Sequence, residues 1–181
     1  MKDKKSLISK LLIGGGLLVL ICGIFCFFGS AVKMSEGNDT RVIGSLFPFM
    51  FGTKCTMTMN GHDFPSEYIE AKLVGGTTAL FAIEMVIIVL AVILLIGIFA
   101  KKLQKKQITI GCCIVCVLAL VAVILTFCSK KMIVDAVSEG MGDSSTYDLG
   151  SAGISYGVLG IVGILATGAG LFIGKDEVAA A

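Results

Sequence analysis

Four long stretches of this chain carry almost no charge, although the sequence as a whole has 15 Lys and Arg residues and 13 Asp and Glu residues. It also has a single histidine and no tryptophan. His62 stands beside Asp63, and two side chains do not supply the three or four ligands of a usual metal site. The sequence contains no Walker phosphate-binding loop, no dinucleotide-binding fingerprint after a strand and no Ser/His/Asp set. We therefore predict a protein that is not an enzyme and that binds neither a metal nor a cofactor.

The uncharged stretches are each long enough to cross a lipid bilayer. A hydrocarbon core of about 30 Å requires roughly 20 helical residues at about 1.5 Å per residue. Once these stretches are set aside, too little of the 181 residues remains for a second soluble domain. The predicted fold is an all-α membrane protein, a bundle of four transmembrane helices that forms one domain over residues 1–181. The spans are predicted at about residues 11–32, 73–100, 107–129 and 149–174.

The lysines favour one orientation of these spans. The two chain ends and the turn Lys101–Lys106 together carry nine lysines and three acids, whereas the other two loops carry six basic and nine acidic residues. Basic residues in short loops favour the cytoplasmic side of a membrane. We expect both termini in the cytoplasm, and residues 33–72 and 130–148 on the outer face of a plasma or cell membrane. Contacts with membrane lipids account for the lysines, so no nucleic-acid partner is expected.

The first span admits a second interpretation. Met1–Lys10 is basic, and Gly29-Ser30-Ala31 resembles the small-residue site at which a signal peptide is cleaved. The apolar part of a signal peptide is usually about 7–15 residues long, and this stretch is longer. Cleavage would leave three spans in the same orientation.

The two halves of the chain resemble each other outside the spans. Each half has a Ser-Glu-Gly sequence followed by Asp and Thr, at residues 35–40 and 138–146. This likeness favours a tandem duplication of a helical hairpin, with two parallel repeats. Convergent membrane composition is the alternative. In a duplicated chain, residues 41–66 are an insertion in the first outer loop.

The first outer loop, residues 33–72, is predicted to form a small extracytoplasmic cap. Its residues 54–64 alternate around Asn60-Gly61, which suits a type I′ turn and predicts a β-hairpin, followed by a short helix over residues 66–73. The preceding residues 42–51 are apolar but too short to span. Interfacial packing is one explanation for them. The other is contact with a protein partner, for which the candidate residues are Phe47, Phe49 and Phe51.

This arrangement resembles a claudin-like tetraspan membrane protein. The shared features are four spans, cytoplasmic termini, a short inner turn, a larger β-prone first outer loop and a smaller second one. The claudin signature in that first loop consists of tryptophans and a cysteine pair, whereas this chain has no tryptophan and only Cys55 there. The resemblance therefore implies the architecture and carries over no functional residues.

Small residues repeat along the last span at intervals of three and four. Their mean spacing of about 3.5 is the period of a seam between helices in a left-handed bundle. Small residues let helix backbones approach closely in lipid. The first span offers a partner, with Gly16, Gly23 and Ser30 at intervals of seven. The seam joins either two helices of one chain or the copies of a homo-oligomer, and its predicted residues are Gly153, Gly157, Gly160, Gly163, Thr167, Gly170 and Gly174.

Glu84 is the only charged residue within the spans. Acids inside a membrane are rare and often mark ion or proton paths, so Glu84 is the candidate polar site. A structural contact is the alternative, with Lys33, Lys130 or Lys131 as its partner.

The seven cysteines divide into two groups. Most lie within the apolar spans, where thiols serve as small packing residues. Cys55 and Cys128 lie on or near the outer face and are the candidate pair for a disulfide.

We expect an integral membrane scaffold, adhesion or accessory protein that contacts a protein partner through its first outer loop. A small oligomeric channel or transporter that uses Glu84 is the alternative. The spans offer few other polar side chains for an aqueous path, among them Thr77, Thr78, Ser155, Tyr156 and Thr167.

Overall fold

The computed structural model describes residues 2–36, 39–53, 57–59, 62–64, 74–137 and 147–175. Helices dominate these ranges, and short strands connect them. The elements in chain order are α1 (Lys2–Cys22), a 3₁₀ segment (Gly23–Phe28), β1 (Ser30–Glu36), β2 (Asp39–Ser45), α2 (Phe47–Phe51), β3 (Met57–Met59), β4 (His62–Phe64), α3 (Gly75–Phe99), α4 (Lys105–Val137), β5 (Tyr147–Leu149) and α5 (Ser151–Lys175).

Four helical segments among the described residues are long and apolar enough to cross a membrane, which confirms the predicted tetraspan fold. Both α3 and α5 have 25 residues, and α4 has 33. At a rise of about 1.5 Å per residue, even 25 residues exceed a hydrocarbon core of about 30 Å. The four segments are Lys4–Phe28, Gly75–Phe99, Lys105–Asp135 and Ser151–Gly174.

The first span ends earlier than its apolar sequence predicts. The sequence places a helix over residues 11–32, but the 3₁₀ segment ends at Phe28 and Ser30 begins β1. Val32 is fully buried and pairs with Ile43 of β2 on one side and Leu149 of β5 on the other. A short apolar run is compatible with a buried strand as well as with a helix, and periodicity does not distinguish them. The span prediction is therefore wrong for residues 30–32.

The strands form one antiparallel sheet in the order β4-β3-β2-β1-β5. Pairing of Met57 with Phe64 and of Met59 with His62 confirms the predicted β-hairpin. Its expected turn residues, the helix expected over residues 66–73 and most of the likeness between residues 35–40 and 138–146 lie outside the described residues. The sheet is larger than a single hairpin because β1, β2 and β5 also join it.

The chain divides into two compact units. The helical unit consists of Met1–Gly23, Ile83–Ala122 and Val158–Ala181, and the sheet unit consists of Ile24–Ala82 and Val123–Gly157. Among the side chains that are at most 1% exposed, Leu17, Ile87 and Val115 belong to the helical unit, and Phe27, Ile43 and Phe49 to the sheet unit.

Within the sheet unit, β1 is attached to the first residues of α5. The Ser151 N–H donates to Ser30 Oγ at 2.9 Å, and the Ser30 N–H donates to Ser151 Oγ at 3.0 Å. The Gly150 N–H donates to the Ala31 carbonyl at 3.0 Å. A Cβ atom at Gly150 would lie 2.6 Å from the Ser30 carbonyl carbon, so only glycine permits this approach. The start of α5 thus gains a partner for a backbone N–H that has no acceptor in its own helix.

Candidate functional site

Part of the predicted small-residue seam is a close contact between α1 and α5 in the helical unit. A Cβ atom at Gly16 would lie 2.7 Å from the Thr167 backbone nitrogen and 2.8 Å from the Gly163 carbonyl oxygen. A Cβ atom at Gly170 would lie 2.9 Å from the Ser9 carbonyl oxygen. Such distances leave no room for any side chain, so the two backbones touch directly. Because these residues are covered within one chain, their packing favours the intrachain explanation over a seam between copies.

Ser9 contributes a polar contact to the same helix pair. Its Oγ donates a hydrogen bond to the Gly170 carbonyl at 2.7 Å, and Ser9 is buried. Ser9 was not predicted from the sequence. It nevertheless continues the seven-residue spacing of the first span, because it lies seven residues before Gly16, as Gly16 lies seven before Gly23. The signal was missed because Ser9 lies between charged residues, before the apolar stretch begins.

The remaining seam residues have other neighbours. A Cβ atom at Gly174 would lie 2.9 Å from Ser9 Oγ, so Gly174 also belongs to the α1 contact. In the sheet unit, a Cβ atom at Gly157 would lie 3.0 Å from the Phe127 ring, and one at Gly153 would lie 2.6 Å from Leu149. Gly160 is buried. The glycine pattern therefore marks the buried face of α5 rather than one uniform contact.

Glu84 lies on the buried face of α3. Its side chain is 1% exposed, and it follows Leu80 and precedes Ile87 and Ala91 on a stripe of buried residues spaced three and four apart. Lys130 is one of the three lysines suggested as a partner of Glu84. Its Nζ atom lies 3.8 Å from Asp148 Oδ1, and the two side chains form a surface ion pair. Glu84 is therefore enclosed by protein and does not face lipid.

Aromatic rings form a partly exposed surface on the sheet unit. The Phe28 and Phe47 rings are 4.9 Å apart, and the Phe47 and Phe51 rings are 6.4 Å apart with an angle of 6° between their planes. Phe28 is 69% exposed and Phe51 is 54% exposed, whereas Phe47 is half-buried. We call Phe28, Phe47 and Phe51 the phenylalanine surface. Sequence analysis missed Phe28 because Phe28 lay inside the predicted first span.

Buried rings hold the phenylalanine surface in place. Phe27 is fully buried, stacks on Tyr156 at 5.4 Å and meets the edge of Phe47 at 6.2 Å. Phe49, which the sequence suggested as a partner contact, is also fully buried. Phe49 is therefore a packing residue of the sheet unit, and its backbone carbonyl accepts a hydrogen bond from the Val74 N–H at 2.8 Å.

The cysteines give no further site. Cys128 is exposed, and Cys55, its candidate disulfide partner, lies outside the described residues. The part of the chain that the structure describes contains no group of three or more His, Cys, Asp or Glu residues that could hold a metal ion.

No protein-family model matches this chain, and neither does any curated protein. Function must therefore be argued from the sites themselves.

Proposed function

We propose that this chain is an integral membrane scaffold, adhesion or accessory protein that contacts a membrane-protein partner through the phenylalanine surface. The observation that carries the proposal is the continuous arrangement of Phe28, Phe47 and Phe51, two of which are more than half exposed. Aromatic side chains are enriched at protein interfaces and supply much of the binding energy there. Ring contacts with Phe27 and Phe81 hold these residues in position, so little conformational entropy is lost on binding.

The proposal includes an orientation and a claudin-like architecture. In this arrangement the lysine-rich ends of the helices are cytoplasmic and the sheet lies outside, as the distribution of basic residues favours. In this orientation Phe47 and Phe51 lie in the first outer loop, and Phe28 lies at the outer end of the first span. In a chain duplicated from a helical hairpin, residues 41–66 are an insertion that the second half lacks. Phe47 and Phe51 of the phenylalanine surface lie in this insertion.

A photoreactive amino acid in place of Phe51 tests the contact in native membranes. We expect a cross-linked protein adduct of one defined mass, which is lost when Phe28→Ala is introduced as well. The matched control carries the same photoreactive residue at Phe99, which is 75% exposed but belongs to the helical unit. Adducts with lipid alone at position 51, or the same protein adduct from position 99, would contradict the proposal.

A small channel or transporter is the second candidate function, and the burial of Glu84 in an apolar helix favours it. Acids at such positions mark ion and proton paths in many membrane proteins. The two candidates differ in one measurable property, which is ion flux across a membrane that contains the purified protein.

A further inference from the structure

The lysine-rich end of the helical unit contains a cavity of about 390 Å³. Residues from α1, α3, α4 and α5 and from the turn after α3 line it, so it lies between all four spans. Its lining combines lysine, hydroxyl and apolar side chains. They include Lys10, Lys101, Lys105, Ser6, Ile98 and Leu171.

The charge of this cavity is one-sided. Lys10, Lys101 and Lys105 line it, and its described lining includes no acidic residue. The Lys105 ammonium donates one hydrogen bond to the Gly174 carbonyl at 2.5 Å, which leaves two of its three donors for another acceptor. A group with several negative oxygens, such as a phosphate, matches a cavity that three lysine side chains line.

The position of Lys105 adds to the demand for an anion. Lys105 and Lys106 begin α4, and the first turn of this helix has no acidic residue. The N-terminal end of a helix carries a partial positive charge, which disfavours cations and favours anions. A bound anion would offset both the helix dipole and the lysine charges.

An apolar groove of about 540 Å³ adjoins the cavity and shares Lys105, Thr109 and Leu171 with it. It runs between α4 and α5, and Ile110, Cys113, Gly168 and Phe172 also line it. A Cβ atom at Gly168 would meet no atom within 4 Å, so the groove is open at this point. A cationic cavity continuous with an apolar groove suits a ligand that has both an anionic group and a hydrocarbon chain.

We propose that the helical unit binds an anionic phospholipid at this site. The lipid phosphate lies in the cavity among Lys10, Lys101 and Lys105, and one acyl chain lies in the groove over Gly168. The shared chemistry is that of a phosphate ester, so a free phosphate and a lipid headgroup must be distinguished. The groove decides between them, because a soluble phosphate makes no use of it.

Titration of the full-length protein with dioleoyl phosphatidylglycerol, followed by native mass spectrometry, tests the cavity. We expect phosphatidylglycerol to bind at least about tenfold more tightly than phosphatidylcholine, and Lys101→Gln or Lys105→Gln to weaken it about fivefold each. Lys102→Gln is the matched control, because Lys102 is exposed on the same turn but does not line the cavity. An equal loss with Lys102→Gln would indicate diffuse surface charge and overturn the proposal.

Two further arms test the groove. Gly168→Leu fills the groove and should weaken phosphatidylglycerol binding about tenfold. Gly15→Leu, at an exposed glycine that also has open space around it, should leave binding unchanged. Glycerol phosphate, the headgroup without its chains, should not displace the lipid. If glycerol phosphate binds as tightly as the lipid, or if Gly168→Leu has no effect, the ligand is not a phospholipid held by this groove.

Discussion

Gly15 and Gly16 are neighbours in α1 but have opposite surroundings. A Cβ atom at Gly15 would meet nothing within 4 Å, whereas one at Gly16 would meet the backbone of α5. Backbone atoms cannot move aside as the end of a flexible side chain can, so the two positions should respond differently to the same methyl group. Both positions carry glycine in the same helix, so the difference comes only from the neighbouring atoms.

We expect Gly16→Ala to destabilise the protein in detergent by about 1–3 kcal/mol, because the methyl group forces α1 away from α5. Gly15→Ala should be neutral or slightly stabilising, since alanine favours a helix over glycine by about 1 kcal/mol in water. Thermal unfolding of the two purified variants, followed by circular dichroism, measures the difference. Equal melting temperatures would show that α1 and α5 are not in close contact at this point.

The C-terminal end of α3 is capped by a residue whose backbone conformation is unfavourable for its side chain. The Lys102 N–H donates to the Gly97 carbonyl at 3.1 Å and the Lys101 N–H to the Ile98 carbonyl at 3.3 Å, which is the Schellman pattern. This pattern requires a left-handed residue, and Lys101 adopts a φ of 52° where glycine is usual. A strained lysine at the mouth of a cationic cavity is consistent with a role for its side chain.

Replacement of Lys101 by glycine should separate these two effects. In a zwitterionic detergent without anionic lipid, we expect Lys101→Gly to stabilise the protein by about 1 kcal/mol, since glycine adopts positive φ without steric cost. Lys102→Gly gains no such relief, because Lys101 is the only non-glycine residue with positive φ in the described part of the chain. A melting temperature that falls in both variants would contradict the strain at Lys101.

Only part of the sheet can be predicted from local sequence, because the other strands form by pairing with distant segments. The Asn60-Gly61 turn and the alternation around it predict β3 and β4 from local sequence alone. By contrast, β1 forms from the end of an apolar run, and β5 comes from the other long loop. Their pairing joins residues more than 100 positions apart, such as Lys33 and Asp148, which no local pattern reveals.

At the scale of the whole molecule, the question is whether four spans with one buried acid conduct ions. Glu84 is buried on the same face of α3 as the apolar Leu80 and Ile87, and a path for ions needs a continuous polar lining. Besides Glu84, the buried polar side chains among the described residues are the hydroxyl groups of Ser9, Thr77, Thr126, Ser129 and Thr167. These few hydroxyl groups favour a structural role for Glu84.

We therefore expect vesicles that contain the purified protein to leak protons and potassium ions no faster than empty vesicles. Glu84→Gln should leave this low flux unchanged, because the amide keeps the size of the side chain and removes only its charge. A pH-sensitive dye and a potassium electrode measure the two fluxes, and gel filtration checks that the variant is folded. Flux in the unmodified protein that Glu84→Gln abolishes would favour the channel over the scaffold.

The sequence by itself determined the four helical spans, the hairpin of β3 and β4 and the small-residue face of α5. Each depends on local chemistry: transfer of apolar side chains out of water, the left-handed turn that Asn-Gly accepts, and the periodicity of one helix. These effects act within a few turns of chain and leave a pattern that can be recognised without the fold.

Tertiary structure alone decided the rest. It ended the first span before residue 30, paired β1 with β5, placed Ser9 against Gly170 and brought Lys10, Lys101 and Lys105 around one cavity. These features bring together residues that are distant in the sequence. The free energy gained by each contact depends on how closely the elements that carry these residues approach one another. That approach is set by packing between elements, so it exists only once the helices and strands have met.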